Sequence, residues 1–587
     1  MTRLAIGADN LRAHYDVVVV GSGYGGGIAA SRMARMGLDV AVLERGREIL
    51  PGQYPTSVIA AERETQVAFA SHTFGSPTAL FDMHVGTGAN LLVGCGLGGT
   101  SLINANVCIE PEPRVLADAV WPEEIRKDGT LQDGFARARA TLAPTPLPAG
   151  DTPRKLIALA VSAETLGVKE GRADLHIAFE EQVNAAGVRQ PACTRCGDCT
   201  GGCNVGAKTT VHSTWLTDAA NHGAEIFTEM RVRWVDKLPD GRWRIGVHVQ
   251  DEKLRRMPVR TIIAEAVVIA AGTLGTNEIL MRSRERGLAL SDMLGRRVST
   301  NGDAICLGYN TRLPVGSVGI GHPARKGASP PGPAVVGLID LRGAPAFENG
   351  LVIVDATVQS AYAGLLPLAM AAAGVTGKGP VRGLRESLTA VGRAAESALI
   401  GAYTGAVDNT QVFLAIGHDT SAGQIQFAHD REALVWPHAA DAPSYRAIDD
   451  IVGKAVAATG GTYVSNPLSK SWLGGNVFSV HPLGGAVTGN DRSTGVVDHK
   501  GRVFDSGSAK GVTDVHQGLY VMDGSVIPRS LGVHPLLTIS AFAERAMVHL
   551  ARDIGRTLEV APKPGVTERS FHSPVAPSDP TPVAGDL

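Results

Sequence analysis

The sequence has little cysteine, no excess of either charge and no long hydrophobic run. Seven cysteines in 587 residues are too few for a spread disulfide framework, and four of them crowd between Cys193 and Cys203. With 55 Lys plus Arg against 57 Asp plus Glu, the formal charge is −2, which offers no basic field to gather nucleic acid, and none is expected as a partner. No stretch of about eighteen uninterrupted apolar residues occurs, so no transmembrane segment is expected. The opening MTRLAIGADNLRAHYD has no apolar core of the kind a cleaved signal needs, and a cytoplasmic location is expected. What the chain does have is glycine, 71 residues of it, beside an ordinary hydrophobic fraction of 44%. That combination suggests backbone brought close to a ligand rather than disorder. The length predicts more than one domain.

Residues 16 to 46 read as strand, Gly-rich turn, helix and strand: DVVVV, GSGYGGG, IAASRMARMGL, DVAVLERG. Four consecutive valines suit a strand buried on both faces of a parallel sheet. Residues 224 to 275 give short strands, with a turn at Pro239, Asp240 and Gly241, and then the apolar AVVIAAGTLG. The stretch from 345 to 470, with an Ala-rich helical section around 384 to 400, reads as a separate α+β domain. The apolar run GLLPLAMAAAGVTG at 364 to 377 is too short to span a bilayer and is expected as a buried helix, with an interfacial helix as the alternative, and a lipid-like substrate could be admitted there. The last 26 residues hold six prolines and read as a tail.

Gly21, Gly23 and Gly26 form GxGxxG directly after a strand and at the start of a helix, and Glu44 ends the next strand at ribose distance. The glycines let backbone N–H groups meet a pyrophosphate, and the carboxylate accepts from ribose hydroxyls. This does not separate FAD from NAD. A second match at Gly94, Gly96 and Gly99 is followed by no clean helix, and with Asn104 and Asn106 it reads as a loop hugging a cofactor. GGCNVGAKTT puts Ala207 where a phosphate loop needs Lys and is rejected as a nucleotide triphosphate site.

Cys193, Cys196, Cys199 and Cys203 have the spacing of an iron–sulfur loop, with Asn204 in place of the usual following Pro. An iron–sulfur cluster is the expected reading, with zinc and a pair of disulfides as alternatives. Cys203 is the least certain ligand, because the last Cys of such a run can serve another cluster. VHPL occurs twice, and proline after His481 and His534 excludes helix at each histidine and holds its backbone extended.

GSGYGGGIAASRMARMGLDVAVLERG, VGCGLGGTSLINAN, VVIAAGTLGTNEIL, VHPLGGAVTG and LYVMDGSVIPRSLGVHPLLTISAFAERA stand in the order found in glucose-methanol-choline (GMC) oxidoreductases. The chain resembles the cholesterol-oxidase-like branch of that family. The resemblance implies an α/β fold: a Rossmann-like FAD-binding domain from 1–310 and 471–555, including the Cys-rich loop 190–206, and a separate α+β substrate domain on an antiparallel sheet at 311–470, with 556–587 as tail. It implies that Gly21, Gly23, Gly26 and Glu44 hold the ADP half of FAD. Gly96 to Asn104, with Gly99 between, would pass the isoalloxazine, and Asp523 and Gly524 would bind the flavin's middle. His481 would be the active-site base and His534 its partner; cholesterol oxidases have Asn at the second position. They also use a substrate-domain Glu, for which Asp355 is the nearest candidate. The expected reaction is oxidation of a hydrophobic, sterol-like alcohol, hydride passing to the flavin as the base takes the hydroxyl proton. Electrons would leave through the cluster to a redox protein or quinone. The alternatives are an NAD-linked reductase and an iron–sulfur electron-transfer protein without an alcohol substrate.

Overall fold

The computed structural model describes residues 3–250, 259–380, 383–428, 430–465, 477–560 and 569–570. The valine run forms β1 (His14–Val20), with Val17 to Val20 buried throughout. It is sandwiched in parallel between β2 (Val40–Leu43) and β3 (Val259–Ile269), so that Val18 lies between Ala41 and Val267. Between β1 and β2 the chain turns through the glycines into α1 (Tyr24–Arg35). Beyond β2 the sheet adds Glu225–Phe227; beyond β3 it adds the antiparallel hairpin Met230–Lys237 and Trp243–Val249, whose turn contains Pro239 to Gly241. Val515–Val521 joins β3 in parallel from far along the chain. The C-terminal helix Leu536–Asp553 packs on α1, where a fully buried Arg32–Glu544 pair, also bonded by Trp215 Nε1, locks the two helices.

A second, six-stranded sheet runs in the order Thr462–Ser465, β4 (Asp303–Tyr309), Gln411–Ile416, Val352–Ala356, Gly337–Asp340, Gly171–Arg172, and all its pairings are antiparallel. It starts before the boundary expected at 311, because β4 follows directly from the nucleotide-binding part with no compositional break, and it borrows an edge strand from the N-terminal half. A third sheet pairs β5 (Val477–Ser479) in parallel with Ala89–Gly94, and so delivers the segment carrying His481. The boundary expected at 471 and most of the tail, 561–568 and 571–587, lie outside the described residues.

One expectation fails here. Residues 364 to 377 do form a helix, Leu366–Val375, but only Leu366 and Met370 on it are buried. Uniformly apolar composition gives no period from which to tell a covered face from an open one.

Candidate active site

The Gly-rich turn is shaped by contact. Gly21 has φ +91° and a Cβ there would lie 2.3 Å from Ala270 O, while one on Gly25 would lie 1.3 Å from Met522 O. Gly23 differs: a Cβ would meet nothing within 4 Å, and it lines a cavity of about 1220 Å³. As N-cap of α1 it offers no side chain, so the first-turn amides stay open to an anion. Glu44 reaches the same cavity, where its carboxylate accepts from Ser22 N (3.1 Å), Ser22 Oγ (2.6 Å) and Gly46 N (2.7 Å). Gly99 lies on the turn, 2.9 Å from Gly23 Cα to its would-be Cβ, which brings the second glycine motif down over the first. Asn104 lines the cavity and donates to Tyr24 Oη at 2.7 Å. Gly96 does not line it; that residue packs against Gly46. Asp523 and Gly524 do line it; the Asp523 carboxylate accepts from Ser525 N, capping its own turn, and from Gly272 N, 251 positions away, tying that turn to the start of the helix Gly272–Glu285. The volume exceeds an ordinary small-ligand pocket and has room for a dinucleotide with a substrate beyond it. These residues fit FAD.

At the far end His481 and His534 meet, ring centroids 5.2 Å apart and planes at 79°. His481 Nδ1 lies 2.9 Å from Asp303 Oδ1, and Asp303 Oδ2 accepts from Ser479 Oγ (2.9 Å) and Val480 N (3.0 Å). An ionised carboxylate only accepts, so Nδ1 carries a hydrogen, and in the neutral ring Nε2 keeps a lone pair. His534 is 3% exposed, and neither of its ring nitrogens has a partner among the described residues. Burial first, and then His481, push its pKa well below the ordinary value. Two residues before Asp303, Asn301 holds the other histidine's loop: its Nδ2 donates to Val533 O and its Oδ1 accepts from Leu531 N, both at 2.8 Å. A single turn, Asn301–Gly302–Asp303, thus organises both imidazoles. Sequence reading missed it, because Asp303 and His481 are 178 positions apart.

Two expectations are corrected. Asp355 is not in the cavity: its carboxylate accepts from Val336 N and Gly337 N and pairs with Lys155 Nζ at 3.1 Å, both side chains fully buried. Strand alternation turns it away from the pocket that Ala356 faces. The four cysteines of the run do line one small cavity, but among the described residues no three of their sulfurs lie within 4.8 Å of one another, and all are free thiols. They are not arranged as a cluster site. Burial pushes the Cys196 thiol up to about 12. The loop instead backs the active site: Thr200 lines the main cavity, and Lys208 Nζ, its pKa lowered to about 8 by burial, donates to Leu102 O, Asn104 O and Cys199 O.

Fold and cavity together define an oxidoreductase with a Rossmann-type nucleotide cradle beneath a two-histidine pocket. The GMC oxidoreductase models match residues 24–299 (N-terminal part) and 445–543 (C-terminal part). The chain belongs to the GMC oxidoreductase family, whose enzymes use FAD to oxidise alcohols. It is 26% identical over 567 residues to a cholesterol oxidase of Mycobacterium tuberculosis, covering 91% of each chain. It is 24% identical over 565 residues to a long-chain-alcohol oxidase of Arabidopsis thaliana, covering 91% of this chain and 67% of that one. Among solved structures it resembles pyridoxine 4-oxidase from Mesorbium loti in fold, with TM-score 0.57 at 16% identity over 92% of this chain and 99% of the other.

Proposed function

We propose that this enzyme oxidises a hydrophobic alcohol to its carbonyl compound, with His481 as the base. The observation that carries the reading is His481 in the wall of the cavity, paired at 2.9 Å with the buried Asp303 behind it. When bound, FAD supplies the hydride acceptor. The chain's own contribution is proton handling and placement. His481 Nε2 accepts the hydroxyl proton, and the positive charge that results faces a buried carboxylate already held by two further donors. His534 lacks any such counter-charge and stays neutral, which suits it to a hydrogen bond with the substrate oxygen rather than to the base role. Around them Leu307, Leu366, Met370, Val412, Phe413 and Val464 make the substrate end apolar and exclude water.

The names of the relatives, cholesterol oxidase and long-chain-alcohol oxidase, point to lipid alcohols. Between these two, His534 in place of Asn and the withdrawal of Asp355 from the pocket argue against a sterol-specific acid. The test is anaerobic bleaching of the yellow protein by a panel of alcohols. Long-chain and alicyclic alcohols should bleach it; bleaching by sugars or choline alone would overturn the proposal.

A further inference from the structure

Helix α2 (Leu366–Val375) has two working faces. Leu366, Ala369, Met370 and Ala373 line the cavity, whereas Leu365 just before it, Leu368 and Val375 stand 53%, 81% and 86% exposed. From Ser360 to Gly377 the chain has no Asp, Glu, Lys, Arg or His. Packed beside it is α3 (Leu384–Ile400), whose amphipathicity is inverted. Leu384, Leu388, Val391, Ala395 and Leu399 fall at i, i+4, i+7, i+11 and i+15, one face of a helix, and every one is exposed, Leu399 at 87%; the buried positions are Ala390 and Ser397. A surface helix in water buries its apolar stripe. Two adjacent helices that both turn aliphatic faces outward form a patch of the kind that marks an interaction site.

Its chemistry selects the occupant. The exposed large residues are leucine, isoleucine and valine, without the Trp, Tyr, Phe or Met anchors that concentrate binding energy between proteins. The charges along α3 balance, Arg385 and Arg393 against Glu386 and Glu396, so the face complements an uncharged apolar layer rather than an acidic or basic partner. Among the described residues no helix is long and apolar enough to cross a membrane, which leaves lying on the surface. The patch is also continuous with the cavity, because α2 is the wall between them. We propose that α2 and α3 form a docking face for a lipid surface, from which a membrane-dissolved alcohol passes over α2 into the cavity. The second half of this rests on the hydrophobic-alcohol reading; docking itself does not.

The test uses the FAD-loaded enzyme and phosphatidylcholine vesicles in a flotation gradient. Wild type should float with the vesicles. The double variant Leu388→Glu, Leu399→Glu, altered only at exposed positions, should partition roughly tenfold or more weakly, with unchanged melting temperature. Val512→Glu, an exposed change elsewhere, should float as wild type does. Flavin reduction by a short soluble alcohol should be equal in all three, while reduction by a vesicle-dissolved alcohol should slow in the double variant. Wild type left at the bottom of the gradient, or a double variant that floats undiminished, would overturn the docking face. So would a wild-type dimer that the double variant breaks and vesicles do not compete with, since the face would then belong to a second copy. Flotation lost only in the double variant, with no alcohol bleaching any form, would uphold docking and overturn the proposed reaction.

Discussion

His481 and His534 share a pocket but not an environment, and that difference divides their roles. His481 faces the buried carboxylate of Asp303, while His534 is buried with no counter-charge. Asp303→Asn should therefore lower kcat roughly ten- to a hundredfold while KM for the alcohol stays within about twofold, because the change disturbs proton acceptance rather than binding. A rise in KM alone would assign Asp303 to substrate binding. For His534 the consequence is a stability profile. Its folded pKa is depressed, whereas in the unfolded chain it protonates near 6.5. Above that pH both states bind protons alike and nothing is lost; below it the unfolded chain takes up the extra proton and stability falls as pH falls. His534→Asn should remove this loss. Urea unfolding curves for wild type and variant should run parallel above about pH 7 and diverge below about pH 6.5, wild type losing up to about 1.4 kcal/mol per pH unit more. Parallel curves throughout would contradict the burial argument. Both histidines were legible in the repeated VHPL, but the turn that aims them was not: Asn301 and Asp303 are ordinary turn residues until folding sets them beside loops some 180 to 230 positions away.

The Gly-rich turn into α1 separates folding from binding glycine by glycine. Gly25→Ala would force a methyl to 1.3 Å from Met522 O and should abolish soluble expression. Gly23→Ala meets open space, so the apoprotein should keep its melting temperature within about a degree or two. Flavin affinity, read by fluorescence titration, should nonetheless drop roughly tenfold or more, because the methyl enters the volume the cofactor's phosphates occupy. Equal affinity in Gly23→Ala would move the phosphates elsewhere. This strand–turn–helix was plain in the sequence, as were the hairpin turn at Pro239 to Gly241 and the helix at 384 to 400, because each has its own local pattern. The cysteine run shows the opposite. Its spacing fits a cluster, yet spacing alone does not fix where four sulfurs point on an irregular loop. The apolar run at 364 to 377 misled for want of periodicity.

Buried polar chemistry as well as apolar packing holds the substrate part of the molecule together. Lys155, on the helix Arg154–Thr165, pairs with Asp355 in the middle of the substrate sheet, and its ammonium also donates to Pro333 O and Ala334 O. Asp355→Asn should leave that charge uncompensated and cost about 3–5 kcal/mol in urea unfolding, with the rate of flavin reduction in the surviving folded fraction unchanged. A selective loss of rate at full stability would return Asp355 to catalysis. The two-domain α/β plan was legible from composition and motif order. The reach of the second sheet was not, since it takes an edge strand from Gly171–Arg172 and its β4 begins at Asp303, inside the stretch assigned to the nucleotide domain. That overlap puts Asp303 at the first position of the substrate-sheet strand that follows the nucleotide-binding part, where His481 meets it. The most direct test is single-turnover flavin reduction in anaerobic stopped flow, comparing wild type with His481→Gln at saturating long-chain alcohol. The expected result is full flavin occupancy in both and a reduction rate lowered roughly a hundredfold or more in the variant; reduction at the wild-type rate with flavin bound would contradict the assignment of His481 as the base.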